Sequence, residues 1–410
     1  MPMPTAWPDL PDDTPFGTDN LPYGVFSGQG GPADRRIGVR IGDHVLDAAA
    51  CARALDFRHA DLLAHPVLNP LMAAGRPVWQ EVRAAITDWL TDPALRGAVE
   101  PCLRPLEEVR LHLPFEVADY VDFYASEHHA GNAGRIFRPG SAPLPPNWKH
   151  LPIGYHGRSG TVVVSGTEIV RPMGQRKDRD EPAPSFGPSR RLDIEAEVGF
   201  VVGTPTAMGE RVPLSAFADH VFGVCLVNDW SARDLQSWET VPLGPFLGKS
   251  FATSVSPWIV PLDALGAARV PPPPRDPALL PYLDDRDEEP WGLDIRLTIR
   301  LNGHEVSHPP FASMYYTPAQ QLAHMTVNGA RLRTGDLYAS GTVSGPERKQ
   351  CGSFLELSWS GREPFALGDG TVRTFLEDGD EVAITAWAPG PRGTRIGFGE
   401  VTGRVLPATG

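Results

Sequence analysis

Residues 192–202 read LDIEAEVGFVV, with acidic residues at alternate positions of the first half. Period-two alternation is typical of a β-strand, in which successive side chains point to opposite faces. Asp193, Glu195 and Glu197 would then share one face, where like charges repel unless a cation lies between them. Calcium and magnesium bind such carboxylate oxygens. On this stretch alone, the favoured interpretation is a solvated acidic face on an edge strand.

The composition indicates a globular protein without affinity for polyanions. The chain has 410 residues, of which 41% are hydrophobic and 21% charged, and its formal net charge is −13. A protein with this excess of acidic residues has no basic surface that would attract nucleic acid or an anionic membrane. The length alone suggests about two to three domains.

Cysteine usage and the first residues bear on the compartment. The four cysteines are scattered and form no CxxC motif, which fits a reducing compartment and no structural zinc site. The chain starts MPMPTAWP, with neither a basic region nor an apolar run, so we expect no signal peptide. No stretch approaches the ~20 apolar residues of a membrane helix. We therefore expect a cytoplasmic protein without a membrane partner.

The chain contains 44 prolines and 42 glycines. Because proline interrupts helices and central strands, this content predicts many short strands and loops. In the first part of the chain we predict a hairpin over residues 36–47 with a Gly-Asp turn. Helical spacing occurs at 49–64 and 77–91, and a short strand follows at 109–113.

From about residue 115 the pattern changes to recurrent strand signals with few helices. Strands are predicted at 198–202, 222–228, 258–261, 293–301 (running into an Asn-Gly turn), 354–358, 381–386 and 401–406. Helices are predicted at 126–136, 213–218 and 318–327. The fold class is therefore mainly β, and we place an N-terminal domain at 1–115 and a C-terminal domain at 116–410.

The first cluster of functional residue types is VDFYASEHHAGN at 121–132. Asp122 lies at a strand-to-helix transition, and a helix starting near Ser126 would place His129 in its first turn, facing Asp122. Histidine suits proton transfer near neutral pH. Taken alone, Asp122 fits a loop carboxylate equally well, and His128 and His129 fit surface histidines better.

The second cluster is LVNDWSARDLQ at 226–236, where an apolar strand ends on Asp229. Asp229 is either a fourth carboxylate for an ion at Glu195 and Glu197 or a helix N-cap. Arg233 and Gln236 would share one helical face. The alternative for Arg233 is a surface ion pair with a neighbouring acidic residue.

The third cluster, PLGPFLGKSFAT at 242–253, resembles a phosphate-binding loop only in part. Leu243 stands where the GxxxxGK[ST] pattern requires glycine, so we reject a nucleotide site. Lys249 on such a rigid loop would face carboxylates or a substrate anion.

The fourth cluster joins ASGTVSG at 339–345 with GSFLELSW at 352–359. Its small residues allow a ligand to approach the backbone closely. Glu356 lies in a predicted apolar strand, and without further context a solvent-facing position is favoured.

Together the clusters resemble the fumarylacetoacetate hydrolase family over nearly the whole chain. The ordered motifs are DFY-x4-HA-x-N, PNW-x-HLP-x-GYHGR, D-x-E-x-E, NDWSARD, PLGPF-x-GKSF and ASGT-x-SG. The resemblance implies a small N-terminal SH3-like barrel, a larger C-terminal β-roll domain and a homodimer. It also implies hydrolysis of the carbon–carbon bond of 4-fumarylacetoacetate to fumarate and acetoacetate, the last step of tyrosine and phenylalanine catabolism.

The resemblance also implies a cation site. Its divalent ion, calcium or magnesium, would be held by Asp122, Glu195, Glu197 and Asp229, and Lys249 and Thr253 match positions near a second cation. Asp193 falls outside this ligand set, and we expect it to pair with Arg190 or Arg191 or to face water.

Catalytic and substrate-binding roles follow in the same way. His129 matches the general base and Glu356 the carboxylate that orients it. The family's groups that stabilise the oxyanion and the leaving enolate correspond to Arg233, Gln236 and Lys249 in this chain. The family's substrate contacts correspond to Tyr124, Arg138, Tyr155, Gln236 and Thr342. His128 is one place off the motif and receives no role.

One departure concerns the substrate's carboxylate end. Thr240 occupies a position that is tyrosine in the animal enzymes, which puts the fine substrate preference in doubt.

Two other readings remain open. One is a related enzyme acting on acylpyruvates or other β-diketo acids, although the long N-terminal domain speaks against it. The other is a metal-binding or scaffold protein without turnover, which would not need the histidine, arginine and lysine beside the carboxylates.

Overall fold

The computed structural model describes residues 10–11, 13–28, 31–178 and 180–409. Strands form slightly more of it than helices do, and the mostly β fold class is confirmed. Within these residues, no helix combines the length and the apolar character that crossing a bilayer requires.

The N-terminal part is an antiparallel sheet accompanied by helices. Its elements are β1 (Tyr23–Ser27), β2 (Arg36–Ile41), β3 (His44–Asp47), α1 (Ala48–Ala54), α2 (Ala60–Leu63), α3 (Asn69–Ala73), α4 (Arg76–Thr91), α5 (Arg96–Val99), β4 (Leu103–Pro105) and β5 (Arg110–His112). The sheet order is β4-β3-β2-β1-β5. The predicted hairpin is confirmed: Ile41 pairs with His44 across the turn, and Gly42 has a φ of 53° there, which glycine adopts at little cost.

The two predicted N-terminal helices have different outcomes. The helix at 77–91 is α4, whose buried face carries Trp79, Val82, Ile86, Trp89 and Leu90. The single helix predicted at 49–64 is wrong, because α1 ends at Ala54 and α2 begins only at Ala60. Asp56 between them has a φ of 51°, a left-handed conformation that ends an α-helix.

The C-terminal part contains most of the strands. In chain order these are β6 (Asp119–Phe123), β7 (Gly154–His156), β8 (Val162–Val164), β9 (Ile169–Val170), β10 (Met173–Arg176), β11 (Ser185–Pro188), β12 (Leu192–Asp193), β13 (Ala196–Val202), β14 (Val221–Asp229), β15 (Ser231–Ala232), β16 (Thr253–Val255), β17 (Val260–Pro261), β18 (Arg269–Val270), β19 (Gly292–Leu293), β20 (Arg296–Leu301), β21 (His304–Ser307), β22 (Asp336–Ala339), β23 (Phe365–Ala366), β24 (Val372–Arg373), β25 (Glu381–Pro389) and β26 (Arg395–Leu406). Its helices are α6 (Glu127–Phe137), α7 (Phe217–His220), α8 (Arg233–Glu239), α9 (Pro318–Thr326) and α10 (Phe354–Leu357).

Two sheets form the C-terminal core. The larger has the order β7-β6-β22-β13-β14-β16-β8, with β17 also paired to β14, and it curls into a half-barrel. The smaller has the order β21-β20-β25-β26-β9, and its β20–β21 hairpin turns at Asn302-Gly303, as predicted. Strand β26 contacts β14 and β16, so the two sheets pack against each other.

The stretch 192–202 differs from the predicted single strand. Strand β12 ends at Asp193, and β13 begins at Ala196. The two pieces pair with different partners, β12 with β15 and β13 with β14, and the Asp193 carboxylate accepts a hydrogen bond from the Ile194 amide at the break. All eleven residues are buried. The solvated edge strand favoured on this stretch alone is therefore wrong.

Candidate active site

Four buried carboxylates converge at one end of the larger sheet. Asp122 is on β6, Glu197 on β13 and Asp229 at the end of β14, while Glu195 occupies the break before β13. One oxygen from each carboxylate lies within 4.8 Å of the others. Asp122 pairs with Ala339 of β22, which in turn pairs with Gly199, two residues from Glu197 along β13. We call these four residues the acidic cluster.

The N-cap interpretation of Asp229 is wrong. The N-cap of α8 is Ala232, whereas the Asp229 carboxylate accepts hydrogen bonds from Lys249 and, at 3.1 Å, from the Thr253 hydroxyl. Lys249 also donates from Nζ to Oε2 of Glu195 at 2.6 Å, so it faces carboxylates as predicted. Burial would lower the pKa of Lys249, but Asp229 and Glu195 outweigh it and raise the pKa. The ammonium therefore stays charged in the interior.

The acidic cluster contains more charge than its protein partners balance. Oδ1 of Asp122 and Oε1 of Glu197 are buried and accept no hydrogen bond from any described residue. Burial raises the pKa values of both groups, and neighbouring carboxylates add to the effect, although Lys249 opposes it, more strongly at Asp122. Buried polar atoms without partners need an explanation. A hard divalent cation that binds carboxylate oxygens fits this set of donors.

Arg233 is buried beside the cluster and is not the surface residue of the alternative interpretation. Its Nη1 donates to Oε1 of Glu195 at 2.7 Å and to Oε1 of Gln236 at 3.1 Å. Its Nε donates to Oδ2 of Asp193 at 2.8 Å. Nη2 is buried without a partner among the described residues, so one edge of the guanidinium is free for a ligand.

The expectation for Asp193 is wrong. It pairs with neither Arg190 nor Arg191, and it does not face water, because it is 0% exposed. Arg191 instead contacts Asp178 at 3.4 Å. The tertiary fold gives Asp193 a partner that is 40 residues away, Arg233.

His129 and Glu356 form a dyad at the edge of the acidic cluster. Nδ1 of His129 lies 2.7 Å from Oε2 of Glu356, and Nε2 points towards Oε1 of Glu195 at 3.9 Å. Burial alone would raise the pKa of Glu356, but His129 and further hydrogen-bond donors outweigh it and lower the pKa. An ionised Glu356 accepts a hydrogen bond from Nδ1–H of His129, which leaves the Nε2 lone pair free to accept a proton.

The predicted strand at 354–358 is wrong. Residues 354–357 form α10, and the Ser353 side chain caps it by accepting from the Glu356 amide. Glu356 therefore points inward, where it accepts hydrogen bonds from Asn132 at 3.0 Å, Ser344 at 2.9 Å and Ser353 at 2.8 Å. Sequence reasoning missed these three donors, although Asn132 follows His129 by three residues in one helix.

The predicted substrate contacts lie in different environments. The Tyr124 ring packs edge-on against His129 with centroids 5.5 Å apart. Thr342 is buried, and its hydroxyl has no partner among the described residues. Arg138, at the exposed end of α6, donates to the Pro143 carbonyl. Thr240 is the C-cap of α8, and its hydroxyl donates to the Gln236 carbonyl.

A cavity of about 380 Å³ reaches the acidic cluster from the surface. Asp229, Lys249 and the predicted substrate contact Tyr155 line it. Sequence reasoning gave no role to other residues of its wall, among them Tyr120, Arg158 and Ser250. Its volume is in the range of small-molecule sites.

Comparison with known proteins identifies the family. The family model described as "Fumarylacetoacetase N-terminal" matches residues 19–114, and "Fumarylacetoacetate (FAA) hydrolase C-terminal" matches residues 119–406. Proteins named fumarylacetoacetase from Homo sapiens and Caenorhabditis elegans are each 48% identical to this chain. The alignments cover 97% of this chain, 97% of the human protein and 98% of the nematode protein.

Solved structures support the same fold. A fumarylacetoacetate hydrolase from Exiguobacterium antarcticum superposes with a TM-score of 0.54 at 17% identity, covering 94% of this chain and 99% of that one. A putative HpcE protein from Mycobacterium smegmatis gives 0.55 at 21% identity with the same coverage. From the family models and the relatives at 48% identity, we conclude that the chain belongs to the fumarylacetoacetate hydrolase family.

Proposed function

We propose that this protein hydrolyses the carbon–carbon bond of 4-fumarylacetoacetate to fumarate and acetoacetate, the last step of tyrosine and phenylalanine catabolism. The observation that carries the proposal is the position of His129. Its Nδ1 lies 2.7 Å from Glu356, while its Nε2 points towards the acidic cluster. A histidine held in this way is suited to take a proton from water next to a bound anion.

The first step is proton removal from water. Glu356 keeps the imidazole in the tautomer that accepts at Nε2, and the resulting hydroxide attacks the carbonyl carbon on the fumaroyl side. The oxyanion that forms receives hydrogen bonds from Arg233, Gln236 and Lys249. Two observations support this assignment: among the described residues, Nη2 of Arg233 has no partner, and Lys249 uses two of its three N–H donors.

Collapse of the tetrahedral intermediate breaks the carbon–carbon bond. The electron pair passes to the acetoacetate fragment as an enolate, and His129 returns its proton to the enolate carbon. A calcium or magnesium ion held by Asp122, Glu195, Glu197 and Asp229 would supply Lewis-acid stabilisation of the diketone oxygens and the enolate. Lys249 and Thr253 are proposed to lie near a second cation.

The substrate carries a carboxylate at each end, which accounts for the basic residues of an acidic protein. We assign the substrate contacts to Tyr124, Arg138, Tyr155, Gln236 and Thr342. The unpartnered Thr342 hydroxyl supports its assignment. The resemblance further suggests an SH3-like barrel within 1–115, a β-roll within 116–410, a homodimer and a cytoplasmic location.

The direct test is turnover of purified protein with 4-fumarylacetoacetate. Loss of substrate absorbance should accompany formation of equimolar fumarate and acetoacetate, identified by chromatography. Acylpyruvates serve as the comparison substrates, and higher kcat/KM with them would point to a different β-diketo acid hydrolase. A His129→Asn variant is the control for contaminating activity, and turnover that survives in it would remove His129 as the base.

A further inference from the structure

Asp193 is a fully buried carboxylate to which the proposed mechanism gives no role. It accepts four hydrogen bonds, each between 2.7 and 2.9 Å long, from Phe354 N, Ile194 N, Arg233 Nε and Leu355 N. Oδ1 accepts from Phe354 and Ile194, and Oδ2 accepts from Arg233 and Leu355. Every one of its strong acceptor positions is therefore in use.

These four bonds connect two parts of the site that are distant in sequence. Phe354 and Leu355 are the first residues of α10, which carries Glu356 and thereby holds His129. Arg233 reaches the acidic cluster through Glu195. One carboxylate thus fixes both the guanidinium assigned to the oxyanion and the short helix that orients the base.

We propose that Asp193 is a positioning residue that keeps Arg233 and the His129–Glu356 dyad in a common geometry. The inference rests on the proposed function for its kinetic part. Asp193 is too fully occupied by protein donors to touch substrate or a cation itself. Its effect passes through Arg233 and α10, and misplacement of catalytic groups by about 1 Å costs roughly 10²-fold in rate.

Asparagine is the informative substitution because it keeps the shape of the side chain. In Asp193→Asn the NH₂ group must face either Arg233 and Leu355 or Phe354 and Ile194, and all four are donors. At least two bonds are lost, and Arg233 keeps only Glu195 as a counter-charge. The site should loosen while the surrounding core stays packed.

The matched control is Asp234→Asn. Asp234 is also a buried carboxylate, it neighbours Arg233 in the chain, and it accepts bonds from Ser189 at 2.6 Å and the Arg190 amide at 2.7 Å. Its hydrogen bonds to described residues, which include one from the Leu235 amide, involve neither the Arg233 guanidinium nor α10. Both variants lose one buried negative charge, but only one of them loses the link between the two parts of the site.

We expect kcat of Asp193→Asn to fall by roughly 10²-fold with KM changed by less than about threefold. Asp234→Asn should keep kcat within about threefold. In Glu356→Gln the dyad is already impaired, so the additional substitution Asp193→Asn should lower kcat by a much smaller factor than it does in the wild type. The proposal would be overturned if the loss of kcat in the double variant equalled the product of the two single losses. A wild-type kcat in Asp193→Asn would overturn it as well.

A second readout does not require turnover. The Nδ1–H of His129, hydrogen-bonded to a buried carboxylate, should give a downfield proton NMR resonance, assigned by its absence in His129→Asn. The resonance should weaken or shift in Asp193→Asn and stay unchanged in Asp234→Asn. An unchanged resonance in Asp193→Asn contradicts the inference, even if the wild type hydrolyses nothing and the functional proposal has failed.

Folding of the variant is checked first by near-UV circular dichroism. If Asp193→Asn does not fold, Asp193→Glu replaces it, because it retains the charge opposite Arg233 but displaces the carboxylate by one methylene. The same loss of kcat and the same change of the His129 resonance are expected. Wild-type values in a folded Asp193→Glu would also overturn the proposal.

Discussion

Nζ of Lys249 lies 2.6 Å from Oε2 of Glu195, and the same ammonium donates to Asp229. Lys249 is thus a fixed cation beside the acidic cluster, in which Asp122 and Glu197 each keep one buried oxygen that no described residue contacts by a hydrogen bond. Burial alone would raise the pKa of Glu195, but Lys249 and then Arg233 outweigh it and lower the pKa. The cluster is therefore uneven: the pKa of Glu195 is lowered beside the two cations, whereas burial raises the pKa values of Asp122, Glu197 and Asp229, although Asp229 also contacts Lys249.

Lys249→Met should remove the charge with little change of volume. Loss of one partner of a buried ion pair costs about 3–5 kcal/mol, so we expect a large drop of Tm in EDTA and partial recovery in calcium. The oxyanion would also lose a donor, and kcat should fall by about 10²–10³-fold. Thermal unfolding with and without calcium, together with steady-state kinetics, measures both effects.

The control for this variant is Lys149→Met, because Lys149 is half-exposed and pairs with Glu127 on the surface. Its Tm and kcat should stay close to those of the wild type. If Lys249→Met unfolded at the wild-type temperature in EDTA, the ion pair would not stabilise the cluster.

Binding of a divalent cation should release protons. In the metal-free protein the raised pKa values of Asp122 and Glu197 keep these groups partly protonated above pH 4.5, the usual value for glutamate, and a cation must displace the protons to bind. Calorimetric titration with calcium at pH 6, in buffers of different ionisation enthalpy, counts the protons released. The Glu197→Gln variant should release fewer, and zero release by the wild type would contradict the raised pKa values.

The same groups set a pH dependence of stability. Because their pKa values are higher in the folded than in the unfolded protein, folding binds protons, and this contribution to stability declines as the pH rises above the unfolded values of 3.8 and 4.5. In EDTA, the free energy of unfolding of the wild type should therefore fall more steeply with rising pH than that of Asp122→Asn. Equal slopes for the two proteins, measured by urea unfolding, would argue against this assignment.

Glu356→Gln should impair catalysis without unfolding the protein. Glutamine keeps the shape of the side chain but removes the charge next to His129, and its amide can donate towards Nδ1, which favours the wrong tautomer. Loss of correct general-base catalysis should lower kcat by about 10²–10⁴-fold. Glu363→Gln, which removes an exposed carboxylate paired with Arg348, should leave kcat unchanged. A wild-type kcat in Glu356→Gln would exclude the dyad from the mechanism.

Thr342→Val tests whether an unpartnered hydroxyl serves the substrate. The hydroxyl makes no hydrogen bond to a described residue, so its removal should not lower Tm. Loss of one substrate hydrogen bond of about 1.4 kcal/mol should raise KM roughly tenfold. Thr317→Val is the matched control, since the Thr317 hydroxyl caps α9 and its loss should cost about 1 kcal/mol of stability without a change of KM. An unchanged KM in Thr342→Val would remove it from the substrate site.

Local sequence signals predicted the regular elements well and the interrupted ones poorly. The hairpin over 36–47 and helix α4 follow from turn chemistry and apolar spacing, which act between near neighbours. Helix α10 has only four residues, too few for a periodic pattern, and its apolar run is equally compatible with a strand. The break at Ile194 could not be predicted, because every residue of 192–202 is buried. The alternation of acidic and apolar residues therefore does not correspond to an alternation of exposed and buried side chains.

The sequence by itself determined the mainly β fold class and the family, and it predicted the four carboxylates and the His129–Glu356 pair, because ordered motifs keep residue types in a fixed order along the chain. Only the tertiary structure decided their partners. It made Arg233 the partner of Asp193 and turned Glu356 inward from a short helix onto His129. The physical reason is that a buried charge requires hydrogen-bonded partners, which the fold supplies here from 40 and 227 residues away along the chain.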